Sequence, residues 1–464
     1  MKIYNTLTKK IDDFIPYEEG KVKLYTCGPT VYHYAHIGNI RNYIGHDILD
    51  KTLRYLGYDV TRAMNITDVG HLTSDSDSGE DKMEVARKRE HKSAMEIAKF
   101  YTDAFFVDFE KVNCKRPEIV SPATDNISEY IKIITKLLED GYAYQSGGNI
   151  YFDISKLDNY YCLTNQDSNL VVGARESVDE DSNKRNQADF ALWFTTSKFE
   201  NHELLWDSPW GKGYPGWHIE CSGISLKYLG EHLDIHGGGV DNIFPHHTNE
   251  IAQSEAYLGH KWCNYWFHNE HLIDESGKMS KSKGDILTVS VLEKNGYDPL
   301  AFRFMCLGSH YRKQLLFSYD NLDQAQNTLN KLRNKIRNLK DDGNIDQNLF
   351  DKYVSKFKES LENDLNTSNA LAVLYEVLKD SELNDSTKKS LINDFDRVLS
   401  LDLLKEKEVD SSLDEEIQQL IDERSNAKNN KDFATADKIR DDLLARGIKL
   451  IDTREGTTYE LIKD

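Results

Sequence analysis

Residues 25–49 read YTCGPTVYHYAHIGNIRNYIGHDIL, and this stretch decides the fold that we predict for the chain. A short run of β-branched and aromatic residues, 22–26, predicts a strand that ends where Cys27 begins a Cys-Gly-Pro turn. From Gly38 onward, apolar residues recur at three- and four-residue steps until a glycine stops the pattern, as in an amphipathic helix. Residues 59–67 then read as a second strand.

Strand, helix and strand in this order predict a βαβ unit. Its first loop meets the helix N-terminus at the carboxyl edge of a parallel sheet. Free backbone N–H groups and the positive end of the helix dipole favour an anion at such a place. We therefore expect a phosphate beside residues 36–39, His-Ile-Gly-Asn, with Gly38 allowing a close approach.

Length and composition exclude some classes of protein. A chain of 464 residues predicts two to four domains. Its net charge of −20 argues against a protein that coats nucleic acid, although a tRNA partner needs only local positive surface. Six scattered cysteines without a CxxC pair, and an N-terminus without an apolar signal core, predict a cytoplasmic location. No run approaches the roughly 18 to 20 apolar residues of a membrane span.

The first half of the chain continues with helices and strands that predict an inserted subdomain. Apolar residues at intervals predict helices over 82–109 and 127–138. Residues 142–152 and 188–194 read as strands on either side of the polar segment 165–187.

Chemistry-bearing residues return after residue 206. The glycine-rich loop 209–216 precedes a WHIECSG block that opens a helix. A short strand, 233–236, ends in three glycines, and Pro245 stands early in a further helix. A strand around Leu272 leads into the lysine-rich loop 277–284, GKMSKSKG.

The last third reads as mainly helical. One bundle helix is predicted by a seam of apolar residues at three- and four-residue steps, Leu322, Ala325, Leu329, Leu332, Ile336 and Leu339. Residues 353–378 add at least one more helix. A polar linker over 405–416 precedes a small terminal unit with helices near 417–428 and 434–445.

Two of these motifs gain meaning from their combination. Alone, HIGN is short enough to occur by chance, and KMSKSKG could be a solvated basic loop. Together, in this order and separated by α/β sequence, they resemble the HIGH and KMSKS signatures of class I aminoacyl-tRNA synthetases. Four longer blocks are similar to cysteinyl-tRNA synthetase, and the similarity extends over nearly the whole chain. They are TCGPTVY at 26–32, GWHIECS at 216–222, DIHGGG at 234–239, and FPHH with NEIAQ at 244–253.

The resemblance implies an α/β fold with a Rossmann-type parallel-sheet catalytic domain and an inserted subdomain. An α-helical bundle and a small C-terminal anticodon-binding domain follow. We place the catalytic domain at 1–115 and 206–265, the inserted connective subdomain at 116–205, the KMSKS-loop and stem-contact region at 266–320, the bundle at 321–404 and the anticodon-binding domain at 411–464. In that last domain, helix faces and the tail 446–454 would meet splayed bases.

Three residues depart from the family pattern. Asn39 replaces the second histidine of the class signature, which keeps a hydrogen-bonding side chain but removes a cation. Tyr214 stands where the family has arginine before PGWHIEC, and Phe194 where it has lysine after DFALW. The local roles of Tyr214 and Phe194 are not given by the sequence.

A zinc site is suggested in part by spacing and in part by the resemblance. His246 and Glu250 are four apart on a predicted helix and could hold one ion, although the pair could equally be an exposed helix face. Cys27 and Cys221 belong to no short metal motif, and two such cysteines are usually buried free thiols. The resemblance assigns Cys27, Cys221, His246 and Glu250 as one zinc site. One Zn²⁺ would select the cysteine thiolate, which serine and alanine cannot imitate.

The resemblance also implies the substrate-binding residues. The amino-acid pocket would contain Cys27, Thr67 and Trp217, although a strand-end threonine and a tryptophan near a glycine loop more often pack. The ATP site would contain His33, His36, Gly38, Asn39, Gly239, Asp241 and Lys281, with Mg²⁺ bound to the nucleotide. The catalytic residues would be His36, Asn39, Lys278 and Lys281, the two lysines stabilising charge on the phosphates.

The activity implied by the resemblance is that of a cysteine–tRNA ligase acting as a monomer. It would activate L-cysteine with ATP to cysteinyl-adenylate and transfer it to the 3′ adenosine of tRNA(Cys). Two other functions are alternatives that the sequence does not favour, the first because the chain continues well beyond Leu322. A related ligase that joins cysteine to a small amine would lack the anticodon-reading end. A non-catalytic tRNA-binding relative would have lost zinc ligands or loop lysines, all of which are present here.

Overall fold

The computed structural model describes most of the chain, in two compact units, Met1–Leu404 and Lys405–Asp464. The described residues are 1–69, 82–164, 181–195, 203–274, 277–278, 286–405, 411–430, 432–446, 448–453 and 456–461. Among them, no helix combines the length and the apolar character needed to cross a membrane.

A five-stranded parallel sheet forms the centre of the first unit, as predicted. Its strands lie in the order Cys263–Asn269, Leu233–Gly239, Lys21–Thr26, Asp59–Ile66 and Ile119–Pro122. The chain leaves the central strand, Lys21–Thr26, toward one edge and returns later on its other side as the glycine strand, Leu233–Gly239. Strand order therefore reverses between these two strands, and such a reversal opens a crevice at their carboxyl ends.

The motif helix, Ile37–Tyr55, confirms the helix predicted from the opening stretch. It starts after His36, whose ring accepts a hydrogen bond from the Asn39 backbone N–H at 3.2 Å. Ile40 and Ile44 are buried on its inner face. A Cβ at Gly45 would lie 2.0 Å from Asn269 Oδ1, so this glycine lets the helix approach the edge strand.

Two predicted elements of the first half are each divided in two. The predicted strand 142–152 is a hairpin, Ala143–Ser146 and Asn149–Phe152, whose turn uses the positive φ of two adjacent glycines. The predicted helix 82–109 is two helices, Lys82–Glu90 and Ala94–Lys111. Ser93 starts the second, because its hydroxyl accepts from the Glu96 backbone N–H and Glu96 accepts from the Ser93 N–H.

The glycine strand is longer than predicted, because it runs through all three glycines to Gly239. A Cβ at Gly238 would lie 2.6 Å from the ring of His247, so the bare backbone makes room for a histidine. Pro245 stands early in helical backbone, as predicted. Phe244 is extended, and the residues after it complete a wide helical turn, Ile243–His247, that continues into the histidine helix, Thr248–Leu258.

The inserted region contains the helix Ile127–Glu139 and a four-stranded antiparallel sheet. The last two strands of this sheet are Phe190–Phe194 and Tyr214–Pro215. Phe194 and Tyr214 face each other across these strands, with ring centroids 5.1 Å apart and ring planes at 26°. Two of the three departures from the family pattern thus form one stacked pair. The polar segment 165–187 lies outside the described residues as far as 180.

Short elements and a helical bundle complete the first unit. The strand Leu272–Asp274 was predicted, whereas its two partner strands in the small sheet, the N-terminal hairpin and the helix Asp385–Leu399 were not. The short elements are Lys2–Asn5, Lys10–Asp13, Leu272–Asp274, Gly277–Lys278, Val289–Lys294, Pro299–Leu307 and Leu315–Leu316. The bundle helices are Tyr319–Arg337, Gln347–Glu362, Thr367–Lys379 and Asp385–Leu399. The predicted seam is buried from Leu322 to Ile336, and the predicted helix 353–378 spans parts of two helices.

A buried ion pair connects the sheet region to the bundle. Arg303 Nη2 lies 2.8 Å from Asp47 Oδ2, and both side chains are fully buried. The same guanidinium donates to the carbonyls of Val112, Val398 and Leu399. One arginine thus fixes the motif helix against the last helix of the bundle.

The second unit contains the two predicted helices, here Ser411–Asn429 and Phe433–Ala445. A hairpin, Ile448–Thr453 and Gly456–Leu461, follows where a tail was predicted. The unit has its own apolar core of Ile417, Ile421, Leu443 and Ile448.

Candidate active site and metal centre

A cavity of about 290 Å³ lies at the crevice between the central strand and the glycine strand. Its walls contain Cys27 and its neighbours, the start of the motif helix, the end of the strand Asp59–Ile66 and the loop after the glycine strand. Predicted site residues on its surface are Cys27, His33, Asn39, Thr67, Trp217, Cys221, Asp241 and His246. His36, Gly38 and Gly239 are not among its lining residues.

Four predicted metal ligands meet at the floor of this cavity. The ligand atoms of Cys27, Cys221, His246 and Glu250 all lie within 4.8 Å of one another, and all four residues are buried. The two Sγ atoms are 3.9 Å apart, and His246 Nε2 is 3.0 Å from Glu250 Oε1. Zinc accepts this set of two thiolates, one imidazole and one carboxylate.

Each ligand is placed by a different element. Cys27 follows the central strand, and its backbone N–H donates to Gly237 O at 3.0 Å. Cys221 lies one turn into the cysteine helix, Trp217–Leu229. His246 lies in the wide turn and Glu250 in the histidine helix, so their four-residue spacing spans a change of helix type.

A second donor set overlaps the first. Cys27, His236, His247 and Glu250 also lie within 4.8 Å of one another, and since the two sets share Cys27 and Glu250, one ion could use only one of them. The first set has two thiols, which zinc favours. Three of its members also line the cavity, whereas His236 and His247 do not. The first set is therefore the one that a substrate in the cavity could reach.

A network of histidines surrounds these donors. His236 Nε2 lies 2.7 Å from Glu250 Oε2, and His218 Nδ1 lies 3.0 Å from His246 Nδ1. His247 pairs with His268 at 2.8 Å. A hydrogen bond to the nitrogen or oxygen of a ligand side chain that does not bind the metal fixes the orientation of that side chain. His218 and His236 lie within the WHIECSG and DIHGGG motifs, but the sequence predicted no role for them.

Burial and neighbouring charges shift the pKa values in this cluster. Burial raises the pKa of the Cys221 thiol well above its ordinary value, and Cys27 and Glu250 act in the same direction. Burial alone would raise the pKa of Glu250, but the nearby His236 and His246 lower it to about 2. Burial opposes the charge on His246, yet Glu250 raises its pKa to about 10. The cluster thus has an anionic carboxylate and two thiols that need a cation to ionise.

The predicted amino-acid pocket residues lie beside this cluster. The Trp217 ring stacks on His246, with centroids 4.2 Å apart and planes at 24°. Thr67 Oγ1 donates to Glu220 Oε2 at 2.8 Å and accepts from Asn65 Nδ2 at 3.0 Å. Burial raises the pKa of Glu220 well above its ordinary value. Glu220 was missed, although a glutamate in the otherwise apolar start of a helix is a signal.

Some of the predicted ATP residues line the cavity, and others form the start of the motif helix. His33, Asn39 and Asp241 face the cavity. His36 and Asn39 also bond each other's backbone at the start of the motif helix. Asp241 Oδ1 lies 3.1 Å from His271 Nε2, next to the strand Leu272–Asp274.

The lysine loop is described only at its first residues. The backbone of Gly277–Lys278 pairs antiparallel with Ile273 and Asp274. The strand Leu272–Asp274 passes the start of the motif helix, since a Cβ at Gly38 would lie 3.8 Å from Leu272 Cβ. Lys281 lies outside the described residues.

Known proteins match this chain over almost its whole length. Residues 13–327 match the family model "tRNA synthetases class I (C) catalytic domain", and residues 356–401 match "DALR domain". The chain is 46% identical to the cysteine–tRNA ligase of Treponema denticola, covering 99% of each chain. It is 45% identical to the one of Borrelia garinii subsp. bavariensis, covering 98% of each.

The chain belongs to the cysteine–tRNA ligase family. Membership makes it a class I aminoacyl-tRNA synthetase and confirms the fold class and enzyme class that the sequence predicted. Cysteine–tRNA ligase 1 of Burkholderia lata is 43% identical, covering 98% of this chain and 96% of that one.

Solved structures agree with the ligase family at the level of fold. Methionyl-tRNA synthetase of Mycobacterium tuberculosis bound by methionyl-adenylate matches with a TM-score of 0.55 at 14% identity, covering 82% of this chain and 90% of that one. LeuRS of Agrobacterium radiobacter K84, in a ternary complex, also gives a TM-score of 0.55, at 11% identity, covering 84% of each chain.

Proposed function

We propose that the cavity activates L-cysteine with ATP and that the four-residue cluster holds Zn²⁺ as the amino-acid selector. The observation that carries the proposal is that Cys27, Cys221 and His246 are both members of the donor set and part of the cavity wall. When bound there, zinc would favour the thiolate form of the substrate side chain. Serine and alanine offer no comparable ligand, so selection would need no editing site.

The chain's own residues orient the amino acid. The Trp217 ring covers His246 and closes one side of the donor set. Asn65 Oδ1 accepts from the Gly28 backbone N–H at 2.7 Å, which fixes the loop after Cys27. Glu220 accepts a hydrogen bond from the Thr67 hydroxyl and so holds Thr67 in place. Thr67 and Trp217 thus border the region where the cysteine amino and carboxylate groups would lie.

ATP would bind along the start of the motif helix. Asn39 and Asn42, in the first turns of the motif helix, line the cavity, and the helix N-terminus beside them suits phosphate oxygens. His33 would border the triphosphate, and His36 and Gly38 would shape the turn beside it. Asp241 lines the cavity two residues after Gly239, and its carboxylate could accept from the ribose hydroxyls. Mg²⁺ would arrive with the nucleotide.

The loop lysines would stabilise the transition state of activation. The strand that leads into the loop runs beside Gly38, which supports a position near the phosphates. Attack of the cysteine carboxylate on the α-phosphorus forms the mixed anhydride and releases pyrophosphate. Lys278 and Lys281 would stabilise the charge that develops on the phosphate oxygens.

The second step would pass cysteine to the 3′ adenosine of tRNA(Cys). The DALR-matched helices and the second unit are present, which argues against a ligase for small amines. We place the anticodon-binding domain at 411–464 and propose the other boundaries as predicted, except at the inserted subdomain. That subdomain begins after Ile119–Pro122, which pairs in the main sheet, and includes Tyr214–Pro215, which pairs in the inserted sheet. We propose that the protein acts as a monomer in the cytoplasm, where its six free cysteines would stay reduced.

ATP–pyrophosphate exchange tests the proposal directly. Exchange should depend on L-cysteine and should be absent with L-serine at equal concentration. Zinc removal by a chelator should abolish exchange, and added Zn²⁺ should restore it. Exchange with serine equal to that with cysteine would contradict the proposed selector.

A further inference from the structure

We infer that an exposed aromatic platform at the rim of the cavity binds the single-stranded 3′ end of the tRNA by base stacking. The platform consists of Tyr34, which precedes the motif helix, and Phe100, on the platform helix Ala94–Lys111. The inference rests on the proposed function, because it names where the tRNA partner of that site would lie.

The platform is continuous with the cavity wall. His33 and Tyr101 line the cavity, and Tyr101 is almost completely buried. The Tyr34 ring lies edge-on to Tyr101 with centroids 5.0 Å apart, and the Phe100 ring lies 5.1 Å from Tyr101. Tyr34 and Phe100 also contact each other at 6.0 Å. An unbroken set of rings thus runs from the cavity to the surface.

The outer two rings are unusually exposed for aromatic side chains. Tyr34 is 38% exposed and Phe100 is 42% exposed, whereas Tyr101 is buried. Polar contacts fix the inner part of the set. Arg89 donates to Tyr32 O at 3.1 Å and to the Tyr101 hydroxyl at 3.2 Å, which fixes the inner part. The exposed faces are therefore presented on a rigid support.

Cations on the rim are more exposed than the acid between them. Lys92 Nζ lies 4.9 Å from the Phe100 ring centroid. The side chains of Arg89 and Lys92 are 41% and 46% exposed, whereas that of Glu90, which pairs with both, is 17% exposed. Phosphates passing the platform would meet the two cations before the carboxylate.

The geometry of the reaction makes RNA the fitting occupant. The terminal adenosine must enter the cavity to receive the amino acid, so the nucleotides before it must cross the rim. Single-stranded RNA is bound through bases stacked on aromatic rings and phosphates near basic side chains. Tyr34 and Phe100 supply the rings, and Arg89 and Lys92 supply the charge.

The test uses the full chain with Tyr34→Ala and Phe100→Ala, singly and combined. Cysteine-dependent ATP–pyrophosphate exchange should stay within about twofold of the unchanged protein, since neither side chain lines the cavity. Single-turnover charging of tRNA(Cys) should fall by about tenfold for each lost stacking contact. Tyr34→Phe and Phe100→Tyr should restore charging, because they keep the ring. Val107→Ala, at another exposed apolar position of the platform helix, is the matched control and should change neither activity.

A fluorescence measurement separates stacking from other causes. A tRNA(Cys) transcript with 2-aminopurine at the nucleotide before the terminal adenosine should be quenched by the unchanged protein and less by the double variant. Normal charging and normal quenching in the double variant would overturn the inference. So would normal charging with a changed sedimentation coefficient, which would assign the platform to contact between copies. Absence of exchange in the unchanged protein would instead reject the proposed function itself.

Discussion

The Sγ atoms of Cys27 and Cys221 lie 3.9 Å apart although the two residues are 194 positions apart in the chain. Two thiolates on one tetrahedral zinc, each about 2.3 Å from the ion, would lie about 3.8 Å apart. The fold therefore holds the two sulfurs at the spacing that the metal requires.

Replacing a ligand should remove the metal and the activity together. We expect Cys221→Ser or His246→Ala to lose bound zinc and cysteine-dependent ATP–pyrophosphate exchange, since three remaining donors bind the ion more weakly. Metal analysis by mass spectrometry and exchange on the same sample measure both. Cys263→Ser is the control, because Cys263 is an equally buried free cysteine outside the donor set. Full activity of Cys221→Ser without zinc would reject the selector role.

The lysine loop is tested by Lys281→Ala. We expect activation to slow by roughly 10² to 10³, because one contact to the developing phosphate charge is lost, with little change in cysteine affinity. Single-turnover formation of the adenylate gives the rate. Lys283→Ala, two residues along the same loop, should have a smaller effect. An unchanged rate with weaker cysteine binding would show that Lys281 does not act on the phosphates.

Truncation separates the two units. A chain that ends at Asp410 should keep nearly full ATP–pyrophosphate exchange, because every proposed catalytic residue precedes that point and the second unit has a separate apolar core. Charging of tRNA(Cys) should weaken strongly through KM. Exchange measures the folded catalytic unit and so controls for misfolding. Full charging by the truncated chain would contradict the anticodon-binding assignment.

Asp47→Asn should destabilise the first unit by about 3–5 kcal/mol, since it leaves the buried Arg303 guanidinium without its anion. Urea unfolding at neutral pH measures the loss in free energy of unfolding. Asp103→Asn is the control, because its pair with Lys99 is exposed and should contribute about 0–1 kcal/mol. Equal losses in both variants would show that burial does not strengthen the Asp47 pair.

The same carboxylate predicts a pH dependence. Burial acts to raise the pKa of Asp47, but Lys51 and Arg303 lower it below its ordinary value of 3.8. A lowered pKa in the folded state contributes stability above the ordinary pKa, and that contribution is lost as the pH falls below it. The unchanged protein should therefore lose more free energy of unfolding than Asp47→Asn when the pH is lowered below about 4. Parallel pH profiles would contradict this.

Local patterns predicted the elements that position the site. The apolar residues at three- and four-residue steps after Gly38 predicted the motif helix. The β-branched and aromatic runs on either side of it predicted the paired strands Lys21–Thr26 and Asp59–Ile66. Some breaks with strong local signals were predicted as continuous strand or helix. Ser93, which starts a second helix inside the predicted helix 82–109, is one of them. Gly147 and Gly148 show the same error, since a pair of glycines within a strand pattern is a turn signal.

Contacts between distant residues could not be read from such patterns. Glu220 stands out locally as an acid in a buried helix, but its partner Thr67, 153 positions away, is known only from the fold. The role of His236 depends on Glu250, which lies on a separate element. Spacing gave two of the four proposed metal ligands, and the family resemblance was needed to add the two cysteines.

The reversal of strand order in the sheet has a consequence for biosynthesis. The proposed ligands lie at Cys27, Cys221, His246 and Glu250, so more than half of the polypeptide must leave the ribosome before all four can surround an ion. The first βαβ unit therefore leaves the ribosome before the complete donor set exists. An ion held by all four proposed ligands could bind only after the glycine strand and the histidine helix have been synthesised.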